Sequence, residues 1–216
     1  MFESIKRWMR KPTQASEADQ RMLTLWAKEA GYPIKTVSGN SPGLVVHTDS
    51  GWRVEWGASQ RHYLQGNELR FRCESDLAPD VQLLLLTKSL AQALETDVFQ
   101  RFTDANQTRI DTSLPEEMRW LAMHPKVSLT PYPLLSKRFL MLANSPEVAA
   151  KWLLDDVSTA LESAAAHWWM DQACVVLTIN RGILTIRMSG DGIEGNQLDC
   201  VARLFEVAAK RLRALS

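Results

Sequence analysis

Two alternating runs in residues 51–74 give the clearest pattern in the chain. In the first, Trp52, Val54 and Trp56 alternate with charged residues, and in the second Leu69 and Phe71 do the same. Apolar residues at every second position are typical of a strand with one buried face. The pattern predicts two strands that line an aromatic core with one face and present arginine and glutamate on the other.

Similar runs predict further strands at about 33–38, 43–48, 138–143, 173–180 and 182–189. Apolar residues at helical spacing predict helices from Ser16 to about Gly31, across 80–102, from Ser113 to Met123, from Ser145 to about Trp168, and from about Asn196 to Leu215. Strands grouped in hairpins and followed by helices indicate an α+β fold rather than alternating βαβ units. We therefore expect antiparallel sheets, built as a meander and hairpins, packed against long amphipathic helices.

Three prolines within residues 124–136 predict a connector between two parts of the chain. On this basis we divide the chain into a basic N-terminal segment with its linker (1–15), an α+β half with an arginine-rich sheet face (16–123), the proline-rich connector (124–136) and a second α+β half (137–216). Both halves contain hairpins followed by a long amphipathic helix. Duplication is one explanation; the other is that this order recurs in any α+β chain.

The composition is that of a globular protein, with 45% hydrophobic and 23% charged residues. Lys+Arg and Asp+Glu are both 25, which argues against broad nucleic-acid binding because such binding needs a strongly basic surface. Nothing in the sequence approaches the roughly 18 consecutive apolar residues of a membrane span. Tryptophan is prominent with 8 residues, and we expect most of them in the core or at its edge.

Cys73, Cys174 and Cys200 are far apart and form no CxxC pair. We expect buried free thiols, which suit a reducing cytoplasm.

The arginines of the polar sheet face are candidate ligand- or partner-binding residues. They are Arg53, Arg61, Arg70 and Arg72. Arginine binds phosphate or carboxylate through paired N–H donors, so an anionic ligand or acidic partner is one interpretation. The other is a solvated face on which these arginines pair with Glu55, Glu68 and Glu74 across neighbouring strands.

No catalytic motif is present, and we assign no catalytic residue, metal site or cofactor. His47 and His62, with nearby acids, are the only histidines close enough in sequence to suggest acid–base or metal chemistry, and they lack a motif spacing such as HExxH. SGNSPG (38–43) lacks the lysine of a phosphate-binding loop and is predicted to be a turn.

The N-terminal segment has apolar and basic residues at helical spacing. Its apolar positions are Phe2, Ile5, Trp8 and Met9. A short basic amphipathic helix with aromatic residues can lie on an anionic membrane surface. Docking on a protein partner, or a frayed terminus, are the alternatives.

These observations favour a non-enzymatic, bacterial-type cytoplasmic interaction or adaptor protein that binds protein partners or self-associates. One alternative is a small-molecule anion-binding protein or enzyme that uses Arg53, Arg70 and Arg72. The other is a protein held at the inner membrane surface by residues 1–11.

Overall fold

A computed structural model describes residues 14–38, 43–105, 115–169 and 173–215. The fold is α+β, as predicted, and its strands form one eight-stranded antiparallel sheet in the order β1-β2-β3-β4-β8-β7-β5-β6. The strands are β1 (Ile34–Val37), β2 (Gly43–His47), β3 (Trp52–Ala58), β4 (Asn67–Glu74), β5 (Leu83–Thr87), β6 (Phe139–Ala143), β7 (Val175–Asn180) and β8 (Ile183–Ser189). The described helices are α1 (Gln14–Glu29), α2 (Lys88–Ala105), α3 (Glu116–Met123), α4 (Pro133–Arg138), α5 (Pro146–Leu153), α6 (Asp156–His167) and α7 (Gly195–Arg213).

The sheet has two unlike faces. Its first face, which carries Trp52, Phe71 and Ile186, packs against α1 and α4 to α7 in the main hydrophobic core. On the second face, α2 and α3 form a smaller apolar cluster with side chains of β5, β6 and β7. Within the described residues, that cluster contains no side chain of β1 to β4 or β8. This leaves the β2–β3–β4–β8 part of the second face to polar residues.

Tryptophan side chains connect three elements to α7. The indole N–H of Trp26 in α1 donates to Asp199 Oδ1 at 2.9 Å, and that of Trp152 in α5 donates to the Ala208 carbonyl at 3.1 Å. Trp52 in β3 donates to the Glu206 carboxylate. Each ring is buried, so each N–H needs an internal acceptor. The expectation that most tryptophans lie in the core is confirmed for those in the described residues.

The prediction of one helix across 80–102 is wrong in its first part. Leu83–Thr87 is the strand β5, with all five residues buried, and the helix begins only at Lys88. A continuous apolar run carries no period that separates a helix from a strand buried on both faces. Both faces of β5 are covered, because Leu85 lies in the main core and Leu84 and Leu86 lie in the smaller cluster.

Three helix boundaries also differ from the prediction. Helix α1 begins at Gln14, two residues before Ser16. Asp19 in α1 accepts the Ile193 backbone N–H at 2.9 Å and so connects α1 to the segment before α7. Ser113 lies outside the described residues, and α3 begins at Glu116 after Pro115. The predicted helix 145–168 is two helices, separated at Asp155, whose φ is 58°.

The proline-rich connector lies beside β6. The Val127 N–H donates to the Met141 carbonyl at 2.8 Å, and the Ala143 N–H donates to the Pro125 carbonyl at 3.2 Å. Strands from both sides of the connector join the same sheet, with β5 lying between β7 and β6. The domain division and the duplication of two halves stay predictions.

The tight turn between β7 and β8 depends on a glycine. Arg181 and Gly182 have φ values of 52° and 71°, so both central residues of this two-residue turn have positive φ, as a type I′ hairpin requires. The Gly182 carbonyl accepts the Ser75 N–H at 2.8 Å, which fastens the turn to the end of β4. A Cβ added at Gly182 would lie 2.7 Å from the Ser75 carbonyl oxygen.

We expect Gly182→Ala to destabilise the protein more than Gly192→Ala. Gly192 has nearly the same φ, 72°, but a Cβ there would meet nothing within 4 Å. The control therefore measures the cost of positive φ alone, about 1–2 kcal/mol. Gly182→Ala adds a backbone collision, which raises the loss by about 1–3 kcal/mol. Urea unfolding of the two variants measures the difference, and equal losses would contradict the role given to the Ser75 contact.

Candidate functional site

The open part of the second sheet face carries a connected set of arginines and glutamates. We call this set the arginine face; it consists of Arg53, Arg61, Arg70, Arg72, Arg187, Glu55, Glu68 and Glu117. Strand pairing places Arg53 opposite Arg72, Glu55 opposite Arg70, and Arg70 opposite Arg187. Arg61 in the β3–β4 connection and Glu117 in α3 extend the set beyond the sheet.

Glu68 and Glu117 neutralise one side of this face. The Glu68 side chain is 1% exposed; it accepts two hydrogen bonds from Arg187 Nη1, at 3.0 and 3.1 Å, and lies 3.3 Å from Arg70 Nη1. Glu117 accepts a hydrogen bond from Arg61 Nε at 3.0 Å. Burial alone would lower the pKa of Arg61, but Glu117 raises it, so this ion pair is maintained. Buried carboxylates need such partners, and here arginines provide them.

Glu55 is shared by three arginines on the other side. Its carboxylate accepts from Arg53 Nε at 2.7 Å and lies 2.8 Å from Arg70 Nη2, but 3.8 Å from Arg72 Nη1. Burial would raise the pKa of Glu55, yet the hydrogen bond from Arg53 and the charges of Arg70 and Arg72 hold that pKa below its ordinary value of 4.5. Glu55 is therefore ionised at neutral pH and is the acceptor on which this half of the face depends.

Arg72 is the least neutralised arginine of the face. The 3.8 Å approach to Glu55 is its ion pair within the described residues, and it is too long for a hydrogen bond. Burial, followed by the charges of Arg53, Arg70 and Arg187, lowers the pKa of Arg72 even though Glu55 acts in the opposite direction. Arg72 stays charged at neutral pH, because a guanidinium group loses its proton only far above that pH. The five arginines outnumber the three carboxylates of the face. Because Arg53 also lies 3.9 Å from the exposed Glu74, Arg72 is the arginine whose charge is compensated least.

The structure brings together the four arginines singled out from the sequence and separates them by role. Arg61 and Arg70 make close ion pairs with largely buried glutamates, whereas Arg53 and Arg72 are about 30% exposed. Glu55 and Glu68 pair as the solvated-face interpretation predicted, and Glu74 reaches Arg53 only at 3.9 Å. Sequence reasoning included neither Glu117 nor Arg187 in this set, because both come from distant parts of the chain. Ligand or partner binding by these residues stays a prediction.

The two histidines that suggested acid–base chemistry lie at different ends of β3. His47 is opposite Arg53, whereas His62 follows Ala58 in the β3–β4 connection. Five residues of strand separate these ends, or about 17 Å. His62 Nε2 instead lies 3.3 Å from Asp97 Oδ2. Among the residues that the structure describes, no three His, Cys, Asp or Glu side chains are placed to hold a metal ion.

The three cysteines are free thiols. Cys73 is buried and the other two are half-buried. Burial raises the pKa of the Cys174 thiol to about 11 and also raises that of Cys200. Both thiols are therefore protonated at neutral pH, a state in which cysteine is a poor nucleophile.

The candidate docking residues Phe2, Ile5, Trp8 and Met9 lie outside the described residues, so membrane or partner docking by residues 1–11 stays a prediction. Each helix within the described part of the chain is too short or too polar to cross a bilayer.

Comparison with known proteins gives a likeness in fold. The sequence matches no protein-family model and no curated protein. Among solved structures, the chain is similar to the mycobacterial trehalose monomycolate transport factor A, TtfA, with a TM-score of 0.50 and 12% sequence identity. The likeness covers 92% of this chain and 96% of that one. At this low sequence identity, the likeness supports only the overall α+β architecture.

We expect Glu55→Gln to change how stability depends on pH. Because the folded-state pKa of Glu55 is lowered, its carboxylate stabilises the fold above pH 4.5 and loses that effect as the pH falls through the folded-state pKa. At pH 7 the variant should lose about 1–3 kcal/mol, since three arginines lose their charged acceptor. The difference in stability from the unmodified protein should narrow as the pH falls below 4.5 and through the folded-state pKa of Glu55.

Urea unfolding at several pH values measures this effect. Glu74→Gln is the matched control, because the Glu74 side chain is 76% exposed and lies 3.9 Å from Arg53. This control should change stability little at any pH. If the free energy of unfolding of Glu55→Gln is lower than that of the unmodified protein by the same amount at every pH, the charge of Glu55 is not what stabilises the fold.

Proposed function

We propose that the protein is a non-enzymatic interaction protein that binds an acidic segment of a protein partner on its arginine face. The observation that carries this proposal is the pair of positive charges of Arg53 and Arg72 on a part of the sheet that the apolar cluster of α2 and α3 does not cover. Both side chains are about 30% exposed, so a partner can reach them. The other arginines are held by internal glutamates.

The surface is suited to a partner rather than to a small substrate in a deep cavity. Arg53 and Arg72 lie side by side on neighbouring strands, on the face that the apolar clusters of α2 and α3 leave open. Complementary charge on a partner would supply specificity and faster association more than large affinity. An acidic, extended segment fits such a surface because its carboxylates can replace the water that now solvates the two guanidinium groups.

The structural neighbour is in loose agreement with this proposal. It is described as a transport factor for trehalose monomycolate. We carry over no cargo or partner from it, because the identity of 12% supports the fold alone. The three free thiols suit a reducing compartment, so we propose the cytoplasm as the site of this interaction.

A synthetic peptide of glutamates tests the proposal directly. We expect a fluorescent hexaglutamate peptide to bind in low salt, to bind more weakly in high salt, and to lose at least about tenfold in affinity in the Arg53→Glu/Arg72→Glu variant. Arg70 is left unchanged, because its ion pairs with Glu55 and Glu68 would make reversal a test of folding. Fluorescence anisotropy measures the affinity.

Arg21→Glu is the matched control. Arg21 lies on α1, which packs on the other face of the sheet, and its side chain is 81% exposed. The control reverses one exposed positive charge, where the double variant reverses two, and should bind the peptide nearly as the unmodified protein does. Equal binding by the double variant and the unmodified protein would refute the role of the arginine face.

A further inference from the structure

We infer that the row of side chains across the arginine face at Arg53 and Arg72 is a binding site for a phosphoryl group. This inference rests on the proposed function, since it names the chemical group that the face recognises on its partner. Four residues on adjacent strands form the row, which we call the donor row: His47 on β2, Arg53 on β3, Arg72 on β4 and Thr185 on β8. Strand register aligns them, with His47 opposite Arg53, Arg53 opposite Arg72, and Arg72 opposite Thr185.

The direct pairing of two arginines is the first reason for this assignment. Residues directly opposite in neighbouring antiparallel strands have Cβ atoms about 5 Å apart, and like charges at that spacing destabilise a sheet. Arg70 and Arg187 are also opposite each other, but Glu68 lies between them with contacts of 3.0 and 3.3 Å. Arg53 and Arg72 share only Glu55, which is hydrogen-bonded to Arg53 and 3.8 Å from Arg72. Glu68 thus contacts both Arg70 and Arg187 closely, whereas Glu55 makes a close contact with Arg53 but not with Arg72.

The chemistry of the flanking residues is the second reason. The donor row contains hydrogen-bond donors from end to end and no carboxylate: an imidazole, two guanidinium groups and a hydroxyl. Within the part of the chain that the structure describes, no hydrogen bond involves the His47 ring or the Thr185 hydroxyl, and Arg72 donates none. An oxyanion held over Arg53 and Arg72 would have a further hydrogen-bond donor on each side.

The number of donors in the row favours phosphate over a single carboxylate. With the exposed Glu74, which lies 3.9 Å from Arg53, the five arginines face four carboxylates, an excess of one positive charge. A phosphomonoester carries about −1.5 to −2 at pH 7 and has three free acceptor oxygens, which can accept from two guanidinium groups and a hydroxyl together. A carboxylate carries one charge and two oxygens. Because Arg53 and Arg72 remain partly exposed, the fourth oxygen of the phosphate can stay bonded to a larger molecule.

The row is also held in place before any ligand arrives. Arg53 is fixed by its hydrogen bond to Glu55, and Thr185 is 8% exposed in the middle of the sheet. Pre-ordered donors bind more tightly, because less side-chain freedom is lost on binding.

Inorganic phosphate and glycerol 3-phosphate are the probes for this site, with acetate at equal ionic strength as the control anion. We expect each phosphate compound to raise the Tm of the full-length protein by about 3 °C at several times its Kd, and acetate to leave the Tm unchanged. Arg72→Gln and Arg53→Gln should each abolish the phosphate-dependent rise. Thr185→Val should reduce it, and Arg21→Gln should retain it in full.

Stability without phosphate supplies a second readout. Arg72→Gln removes a cation that faces excess positive charge and makes no hydrogen bond to a described residue. In phosphate-free buffer this variant should therefore be at least as stable as the unmodified protein. A large loss of stability there would show that Arg72 is a structural residue, and would overturn the assignment even if phosphate no longer acted on the variant.

Three other results would also overturn the inference. The first is that no phosphate compound raises the Tm, and the second is that the Tm of Arg72→Gln rises as much as that of the unmodified protein. The third is a rise in Tm with inorganic phosphate but not with glycerol 3-phosphate, because the site would then not accept a phosphate attached to a larger molecule. These outcomes are separate from the hexaglutamate test. Binding of that peptide without a phosphate effect would leave the proposed function intact and remove only the phosphoryl site.

Discussion

The antiparallel pairing of β4 with β8 holds the two parts of the sheet together. Seven residue pairs from Glu68↔Ser189 to Glu74↔Ile183 connect the N-terminal meander β1–β4 to the strands β5–β8. The same register places Phe71 beside Ile186 on the core face and Arg70 beside Arg187 on the other. A shift by one residue would exchange the two faces and place the arginines in the aromatic core. The core and the arginine face therefore depend on a single register.

Helix α7 complements this pairing from the core side. It receives indole N–H donors from α1, β3 and α5, so elements that are distant in sequence share one helix as their acceptor. Phe205 of α7 packs against Trp52 and Phe71, with ring centroids 5.5 and 5.8 Å apart. Specific hydrogen bonds within an apolar layer fix the position of the helix along the sheet, which apolar contacts alone would leave less defined.

The sequence was sufficient for the elements with a clear period and insufficient where the period is absent. The alternation at Trp52–Trp56 and Leu69–Cys73 correctly predicted β3 and β4 and the faces of their side chains. The run Leu83–Leu86 has no such alternation, since both of its faces are buried, and it was assigned to a helix. The order of the sheet was also beyond the sequence pattern, because the position of β5 between β7 and β6 is decided by packing among distant segments.

For the candidate site, too, the sequence predicted some features and could not predict others. The arginines of β3 and β4 could be placed on one face from their spacing alone. The sequence could not show which of these arginines are neutralised by carboxylates, because Glu117 and Arg187 are brought to the face only by the tertiary structure. Arg61 and Arg72 look alike in the sequence, yet one makes a close ion pair with a buried glutamate and the other makes only a long contact with a shared carboxylate.

The position of β8 near the end of the chain has a consequence for protein synthesis. β4 ends at Glu74 and β8 begins at Ile183, so the ribosome must add more than a hundred residues before the edge of β4 receives its partner. At about 5–20 residues per second, this interval is on the order of ten seconds. During that time the nascent meander has an unpaired strand edge and an uncovered aromatic face, which are the features that promote association between chains. The arginines and glutamates of β4 lie along that edge, where charged side chains disfavour pairing with the edge of another chain.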